Sequence, residues 1–362
     1  SFSLIAWHVE NDDLSDTIND FRRRSIAEAE RGTVLPTKTM LVLNFVIKND
    51  LNLKYAKHSC NADLAALAYK LTTEMEEDEE EFELLLCDEK KNAIKEKDVE
   101  KQLLLSLVDT YSLKLKNKSL TTKKTYIEAT LLPLFEAFLA TIESTTNYSA
   151  TGYLEPLPDT QAMLLPISLS TVATASTSAS PITSKKRKDC LQCSWMSLEL
   201  DYLVKAIFGE MKFDLFVTEV KKPNANVSQL VGDEAKLGNL MKIMADRLVL
   251  KSIPSPVVCG LIDDGSNIKT YKMTIRSDGK YDLIQLACFG SIRSSDDLVR
   301  LPLIIDHFSQ LKTIIKDMQS IIRLALLGKV LPGPLVLPVV LVEWLRPSNE
   351  YPVAETTNKR TK

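Results

Sequence analysis

Histidine is scarce in this chain: three occur among 362 residues. A Ser-His-Asp or Cys-His nucleophile needs a histidine as its base, so these three give little support to that kind of catalysis. Glycine is also infrequent, at 11 residues. No Gly-rich phosphate-binding loop and no internal repeat is found in the sequence. These absences direct attention away from P-loop nucleotide chemistry and towards carboxylates and lysines.

The chain has neither a large net charge nor an apolar run long enough to span a membrane. The formal net charge is -3, so binding of a polyanion requires a local basic patch. The apolar run Leu331 to Leu345 contains three prolines and is shorter than the roughly 20 residues of a membrane span, so no membrane partner is predicted. Six cysteines without dense spacing indicate a reducing, nuclear or cytoplasmic compartment. Cys190-x-x-Cys193 is half of a zinc site, with free thiols as the alternative.

Composition divides the chain into regions. Residues 1–118 predict a helical N-terminal region, and residues 119–346 predict an α/β domain. Residues 155–189, rich in Ser, Thr, Ala and Pro, predict a disordered insertion in that domain, and residues 347–362 predict a disordered tail. The insertion ends in a basic cluster that is typical of a nuclear-import signal or of phosphate contact: Lys185, Lys186, Arg187 and Lys188.

Two charged residues follow an apolar run near the centre of the second region. The segments 198–208 and 213–223 predict a β-hairpin closed by a turn at 209–212. Because side chains alternate across a strand, Glu219 and Lys221 are expected on the same face as the apolar residues Phe213, Leu215 and Val217. A carboxylate and an ammonium on a buried face must be paired or bound to a metal.

Asp201 lies near the start of the first strand of this hairpin. In an antiparallel pair the numbers of opposed residues have a constant sum, and this sum must be 420 for Asp201 to face Glu219. A tight two-residue loop at Glu210-Met211 would pair Gly209 with Lys212, which gives a sum of 421. A shared cation therefore predicts a loop of odd length or one β-bulge, with Gly209 as its expected place. Carboxylates on directly opposed residues, about 4.5–5.5 Å apart at Cβ, suit a hard divalent cation such as Mg²⁺.

The sequence predicts helices before and after the hairpin, and a three-stranded β-meander after it. Residues 120–140 predict one helix that breaks or kinks at Pro133, and residues 228–250 predict a helix with a buried apolar stripe. Three strands joined by Asp-Gly turns follow, at 256–262, 268–275 and 281–289. A long apolar helix over 298–327, with a break near Pro302, completes the domain.

Asp201, followed after a hairpin by Glu219-Val220-Lys221, resembles the PD-(D/E)XK nuclease superfamily, in particular uncharacterised fungal members in which a Glu-x-Lys-Lys-Pro strand precedes a helix. The resemblance covers about residues 122–291. It implies a restriction-endonuclease-like α+β fold, with a mixed, largely antiparallel sheet flanked by helices. Leu200 stands where the superfamily usually has proline.

The resemblance also implies roles for individual residues. Asp201 and Glu219 would hold Mg²⁺ or Mn²⁺, and Lys221 would orient water or stabilise charge on the phosphate of DNA or RNA. A helix ahead of the first strand can supply a Glu, here Glu128. The helix after the hairpin can supply further polar residues, here Gln229 and Lys236. For each of these three, exposure to solvent is the alternative interpretation.

Three interpretations follow for the whole chain. The first is a metal-dependent nuclease with Asp201, Glu219 and Lys221 as catalytic residues. The second is an inactive member of the same fold that binds nucleic acid or a protein. In the third, the charges pair with neighbours at a strand end and are purely structural. The oligomeric state is not determined by the sequence.

Overall fold

A computed structural model of the protein describes residues 8–9, 12–13, 15–31, 35–49, 61–116, 122–143, 145–153, 199–221, 227–276 and 279–328. Several predicted features lie outside these residues. They are the insertion at 155–189, the basic cluster at 185–188, Cys190-x-x-Cys193, the apolar run at 331–345 and the tail at 347–362.

The N-terminal region is mainly helical. Its helices are α1 (Ser15–Glu30), α2 (Thr37–Leu43), α3 (Ala62–Glu77), α4 (Glu79–Glu96) and α5 (Val99–Lys116). The remaining helices are α6 (Lys123–Tyr126), α7 (Leu132–Phe138), α8 (Val227–Leu250) and α9 (Leu301–Leu326). Asn61 begins α3 as an N-cap, because its side chain accepts hydrogen bonds from the backbone of Asp63 and Leu64, which satisfies N–H groups that have no partner inside a helix.

The predicted single helix over 120–140 is divided into three parts. A π-helical turn, Ile127–Leu131, separates α6 from α7, and Pro133 lies in the first turn of α7. Proline lacks the N–H that would continue an α-helical ladder, so the chain changes its hydrogen bonding just before it. Pro302 similarly lies in the first turn of α9, which follows a 3₁₀ turn, Ser295–Arg300.

Seven strands form one mixed sheet in the order β3-β9-β8-β7-β6-β5-β4. They are β3 (Val46–Asn49), β4 (Thr145–Tyr153), β5 (Glu199–Phe208), β6 (Met211–Val220), β7 (Val257–Asp263), β8 (Asn267–Ile275) and β9 (Tyr281–Gly290). The pairs β3–β9 and β6–β7 are parallel and the other pairs are antiparallel. The predicted fold class, α+β with a mixed and largely antiparallel sheet, is confirmed. Two short strands, β1 (His8–Val9) and β2 (Asp12–Asp13), pair separately.

The N-terminal region contributes to this sheet. β3 pairs with β9 at one edge, and the backbone N–H of Tyr281 donates to the carbonyl of Phe45. Neither β3 nor the opposite edge strand β4 is among the predicted strands. The helical region and the α/β domain also share one continuous core of buried side chains, so the first region packs as part of the same unit.

Helices cover both faces of the central strands. The Phe216 ring of β6 packs edge-on against Phe135 of α7 at 5.9 Å, whereas Glu219, three residues later, contacts Lys236 of α8. Residues an odd number apart on a strand point to opposite faces, so α7 and α8 lie on opposite sides of the sheet. Phe308 of α9 contacts Phe135 and places α9 on the side of α7.

The hairpin of β5 and β6 contains the predicted irregularity at a different position. A two-residue loop, Gly209-Glu210, joins the strands, with Phe208 paired to Met211. Gly209 has a φ of 60°, which suits the first central position of a type II′ turn. The pairing then shifts between Lys205–Asp214 and Val204–Phe216. Leu215 is therefore the extra residue of a β-bulge, and the expectation of a bulge at Gly209 is wrong.

The tight approach of α8 to α2 gives a matched test of packing. A Cβ on Gly238 would lie 2.5 Å from the Cδ2 atom of Leu41, whereas a Cβ on Gly232 of the same helix would meet nothing within 4 Å. Alanine is favoured over glycine in a helix interior by about 1 kcal/mol, and overpacking costs about 1–3 kcal/mol. Gly232→Ala should therefore raise the free energy of unfolding by about 1 kcal/mol, and Gly238→Ala should lower it, in urea denaturation. An equal gain in both variants would contradict this packing of α8.

Candidate functional site

The bulge decides which side chains of the hairpin meet. Beyond it, Tyr202 pairs with Thr218 and Leu203 with Val217, and both pairs of residue numbers sum to 420. Continuing this register by one residue places Asp201 opposite Glu219. Directly opposed residues have Cβ atoms about 4.5–5.5 Å apart. The bulge thus gives the parity that the sequence required, at Leu215 and not at Gly209. The carboxylate of Asp201 contacts Lys123 of α6, whereas that of Glu219 contacts Lys236 of α8, so a shared cation stays a prediction.

The same bulge corrects the predicted apolar face. Asp214, before the bulge, and Glu219, after it, both contact α8, through Arg247 and Lys236 respectively. They are five residues apart, which a regular strand would place on opposite faces. Phe213, the neighbour of Asp214, therefore lies on the face opposite to Glu219, and the expectation that the two share a face is wrong.

Asp201 is held at the start of β5 by two donors. Its Oδ1 atom lies 2.6 Å from the Nζ atom of Lys123, and its side chain is 14% exposed. Its Oδ2 atom accepts a hydrogen bond of 2.7 Å from the backbone N–H of Val220. Lys123 comes from α6, so the helix ahead of the hairpin contributes an ammonium group to the site.

Glu219 is one of the most deeply buried charged residues of the sheet. Its side chain is 3% exposed, and its Oε2 atom lies 2.6 Å from the Nζ atom of Lys236. Its Oε1 atom lies 3.6 Å from the Nζ atom of Lys221. A buried carboxylate without such partners would be strongly disfavoured, which explains why both lysines lie beside it.

Asp233 is a further charged residue at the site, and sequence reasoning did not single it out. Its Oδ1 atom lies 3.1 Å from the Nζ atom of Lys221. Its Oδ2 atom is buried and has no hydrogen-bond partner among the described residues. An unsatisfied buried acceptor of this kind costs on the order of 1–3 kcal/mol. A helix position three residues before Lys236 was the available signal, since residues i and i+3 share a helix face.

These contacts form one chain of alternating charges, which we call the ion chain: Lys236, Glu219, Lys221 and Asp233. The end of β6 and the residue directly after it supply the central pair, Glu219 and Lys221, and α8 supplies the two ends. Burial by itself lowers the pKa of Lys221, but the ion pairs with Asp233 and then Glu219 outweigh it, so the pKa is raised above its ordinary value. Lys221 is therefore an ammonium group at neutral pH and serves as a fixed positive charge.

The candidate ligands are oxygen atoms, which are the type of ligand that a hard cation prefers. Asp201 and Glu219 supply carboxylate oxygens, and Mg²⁺ is typically bound by one or two carboxylates with water and substrate phosphate. Across the described ranges, no group of three or more His, Cys, Asp and Glu side chains is arranged to hold a metal ion. A cation here would rest on two protein carboxylates.

The accessory residues predicted from the sequence fall into different positions. Lys236 contacts Glu219, as described above. Glu128 lies in the π-helical turn and forms a 3.9 Å ion pair with Lys124, one turn earlier. Gln229 lies in α8, but its side chain is outside the described residues.

A buried polar network supports the site from the other face of the sheet. Asp263, interpreted from the sequence as a turn residue, is instead the last residue of β7 and is fully buried. Its carboxylate accepts hydrogen bonds from the hydroxyls of Tyr126 and Ser291, at 2.9 and 2.8 Å, and from the N–H of Gly265, at 2.8 Å. Its backbone carbonyl accepts from the N–H of Lys221.

This network fixes α6 against the ends of the central strands. Tyr126 and Lys123 are three residues apart on α6, so they lie on one face of that helix. Tyr126 is bound to Asp263 and Lys123 to Asp201. The network therefore holds the lysine of α6 in place beside the first carboxylate of the site.

A separate concavity lies away from these residues. Its volume is about 280 Å³, and it is lined by residues of α3 and α5 and of the segment before α9. Its lining includes Lys116 and Arg293 and none of the residues of the ion chain. The candidate residues therefore lie outside this cavity, at the ends of the internal strands β5 and β6.

Within the part of the chain that the structure describes, no helix combines the length and apolar character needed to cross a bilayer. No protein-family model, no curated protein and no solved structure matches the chain. The functional argument therefore depends on the geometry of the site.

The buried carboxyl of Asp263 gives a prediction for stability against pH. Burial raises its pKa from 3.8 to about 6, although the bonds from Gly265, Ser291 and Tyr126 partly oppose this. The folded state thus retains a proton that the unfolded state loses, so stability falls as the pH rises from about 4 to 6. The difference corresponds to about 3 kcal/mol. Asp263→Asn should remove this step, so its stability relative to wild type should increase with pH.

Urea denaturation at several values between pH 4 and pH 7.5 measures the effect. Glu210→Gln in the hairpin turn is the control for the loss of a carboxyl group elsewhere, and its curve should run parallel to that of wild type. Parallel curves for wild type and Asp263→Asn would contradict the effect of burial on Asp263.

Proposed function

We propose that this protein is a metal-dependent nuclease-like protein of the PD-(D/E)XK superfamily, which cleaves phosphodiester bonds in DNA or RNA. The observation that carries the proposal is the register beyond the bulge at Leu215, because the same register continued by one residue would bring Asp201 opposite Glu219. The topology supports it as well. The hairpin is preceded by a helix that packs on the sheet and followed by α8, which carries Lys236 to Glu219, as the resemblance implies.

Each residue then has a defined part. Asp201 and Glu219 would hold Mg²⁺ or Mn²⁺. The bound ion supplies polarisation of the phosphate and a lower pKa for coordinated water. Lys221, held as an ammonium beside Glu219, would stabilise the negative charge that grows on the phosphate in the transition state. Lys123 and Lys236, 40% and 30% exposed, border the site and are placed to contact substrate phosphates.

An inactive binding module is the second candidate, and one observation favours it. Three of the four carboxylate oxygens of Asp201 and Glu219 are within 2.7 Å of a protein N–H or ammonium group. A carboxylate so fully paired can be purely structural. In this case the protein would bind nucleic acid or another protein, and chelation of metal ions would not change that binding.

The two candidates differ in their response to Glu219→Gln. The full chain is incubated with supercoiled DNA, single-stranded DNA and RNA in Mg²⁺ or Mn²⁺. Wild type should cleave at least one substrate, and Glu219→Gln should reduce the rate by more than about 100-fold, since even groups that only orient metal ligands contribute about 10–100-fold. Asp214→Asn, a carboxylate of similar burial on the same strand, is the control and should retain activity wherever it folds.

Cleavage at equal rates by wild type and Glu219→Gln would remove the nuclease proposal. Binding of nucleic acid that persists in EDTA, without cleavage, would support the second candidate in its place.

Metal affinity gives a test that does not need a substrate. Calorimetric titration of Mn²⁺ or Mg²⁺ into wild type should show saturable binding of one ion. Asp201→Asn should weaken it by at least about tenfold, because a neutral amide replaces one of two charged ligands. Identical titrations of the two proteins would contradict a role of Asp201 as a ligand.

A further inference from the structure

Helix α9 carries basic side chains in a line along one flank. Residues four, seven and eleven positions apart on an α-helix share a face, so Lys312, Lys316, Gln319 and Arg323 lie in one line on α9. At a rise of 1.5 Å per residue, the first and last of them are about 17 Å apart along the helix axis. We call the three cations, Lys312, Lys316 and Arg323, the basic row.

The basic row has no counter-charge. Among the described residues, none of its ammonium and guanidinium groups forms an ion pair, and the aspartates of α9 lie about a third of a turn away from it. The lysines of α5 differ, since Lys101 and Lys116 lie 2.9 and 2.8 Å from glutamate oxygens. In a chain whose net charge is -3, an uncompensated row of this kind is a local attractor of anions.

Contacts with the segment after α7 hold the row in place. The Nζ atom of Lys312 donates to the hydroxyl of Thr141 at 2.8 Å, and the side-chain amide of Gln319 donates to the carbonyl of Glu143. Burial, and then the neighbouring ammonium group of Lys316, lower the pKa of Lys312 below its ordinary value, which is the effect of like charges placed side by side. An anion that binds here meets side chains that are already ordered, which reduces the entropic cost of binding.

The positive surface continues at the hairpin turn as alternating cations and aromatic rings. The guanidinium group of Arg323 lies 5.9 Å from the ring centroid of Phe208, and the rings of Phe208 and Phe213 are 6.1 Å apart. The Nζ atom of Lys251 lies 4.6 Å from the centroid of Phe213 and donates to the carbonyl of Lys212. Cations within about 6 Å of a ring are attracted to it, so these contacts fix both cations at the turn.

The acidic residues at this end of the hairpin do not cancel the charge. Asp214 lies between two cations, with its Oδ1 atom 3.5 Å from the Nζ atom of Lys205 and its Oδ2 atom 2.6 Å from a guanidinium nitrogen of Arg247. Glu210 in the turn is exposed, and its carboxylate forms no ion pair with the described residues. The surface from α9 to the turn therefore carries excess positive charge.

The geometry favours a nucleic-acid duplex over a lipid surface as the anion. The apolar face of α9, which includes Leu311, Ile315, Met318 and Ile322, is buried in the core, whereas a helix that binds a bilayer inserts its apolar face into it. The row offers charges and hydrogen-bond donors, the groups that contact phosphates. Duplex DNA is stiff, so its phosphates keep fixed positions opposite a fixed row, and a row of about 17 Å spans about five base pairs.

We propose that the basic row binds the sugar-phosphate backbone of double-stranded DNA without reading its sequence. The row lies on the face of the sheet opposite to α8, and its Arg323 end contacts the hairpin turn. The ion chain lies at the other end of the hairpin, about 30 Å away along β6, Met211–Val220. The proposal therefore goes beyond the proposed cleavage and requires neither a metal ion nor the ion chain.

Fluorescence anisotropy of the full chain with a short labelled DNA duplex, in EDTA, tests this surface. Lys316→Gln/Arg323→Gln changes two exposed residues. It should weaken binding at least about tenfold and reduce the slope of log K against log salt concentration by about two, because each phosphate contact contributes about 0.9 to that slope. The control is Lys70→Gln/Lys95→Gln, which removes the same charge from exposed positions of α3 and α4 and should leave the slope unchanged.

Gln319→Lys provides a test in the opposite direction. The change adds a fourth cation to the line, between Lys316 and Arg323. It should tighten binding of the duplex several-fold and increase the salt slope by about one. Tighter binding cannot result from a loss of folding, so this variant tests the surface independently of the stability of the double variant.

Four results would overturn the proposal: no binding of the duplex by wild type, equal losses in the two double variants, an unchanged slope in Gln319→Lys, or tighter binding of a single-stranded RNA of the same length. Binding to phosphatidylserine vesicles without binding to the duplex would also overturn it. These measurements are independent of cleavage. Duplex binding through the row in a protein that does not cleave would remove the nuclease and leave this surface, whereas cleavage that is lost in Glu219→Gln, with no effect of the row on binding, would do the reverse.

Discussion

One extra residue in β6 determines what the end of this hairpin can do. The bulge at Leu215 changes the sum of paired residue numbers from 419 to 420, and a shift of one residue moves every following side chain to the other face. Without it, Glu219 would point towards the face on which Phe216 packs against Phe135. With it, Glu219 points to α8 and pairs with Lys236. The core on both sides of the sheet is arranged around that change of face.

Burying charge at this edge requires partners from distant parts of the chain. Lys123 from α6 forms an ion pair with Asp201, and Lys236 from α8 forms one with Glu219. The Tyr126–Asp263 hydrogen bond joins residues 137 positions apart and keeps α6 in register with the strand ends. A carboxylate that loses its partner while it stays buried is penalised heavily, so the positions of α6 and α8 are coupled to the charges of the strands.

Much of the architecture could be predicted from local patterns. The Asp-Gly turns and alternating strands predicted the β7–β9 meander, and the helical spacing in α8 predicted a stripe that is buried in the structure, from Leu237 to Leu248. Pro133 predicted a break that the π-helical turn provides. These signals lie within a few residues of each other, and local propensity and periodicity report on them.

The remaining features depend on contacts that no local pattern encodes. Gly209 led to the prediction of a bulge at the turn, but the two-residue turn needs that glycine for its positive φ. Nothing in the run Phe213 to Val217 indicates that Leu215 is the bulged residue. Asp263 stands before Asp264-Gly265 and so resembles a turn residue, while its burial depends on Tyr126. Asp233 and Lys236 are polar positions on a helix, and only the packing of α8 on β6 shows that both point inwards.

The charge count at the site bears on how it would meet a polyanion. Three carboxylates, of Asp201, Glu219 and Asp233, face three ammonium groups, of Lys123, Lys221 and Lys236, so the edge is neutral, in a chain whose net charge is -3. Nothing in that balance attracts phosphate. With a divalent cation bound, the site as a whole would carry a local charge of +2, and the lysines would be released from neutralising carboxylates to contact phosphate. Metal binding would then decide nucleic-acid affinity at this edge as well as cleavage, and a binding module without a metal would need its basic patch elsewhere.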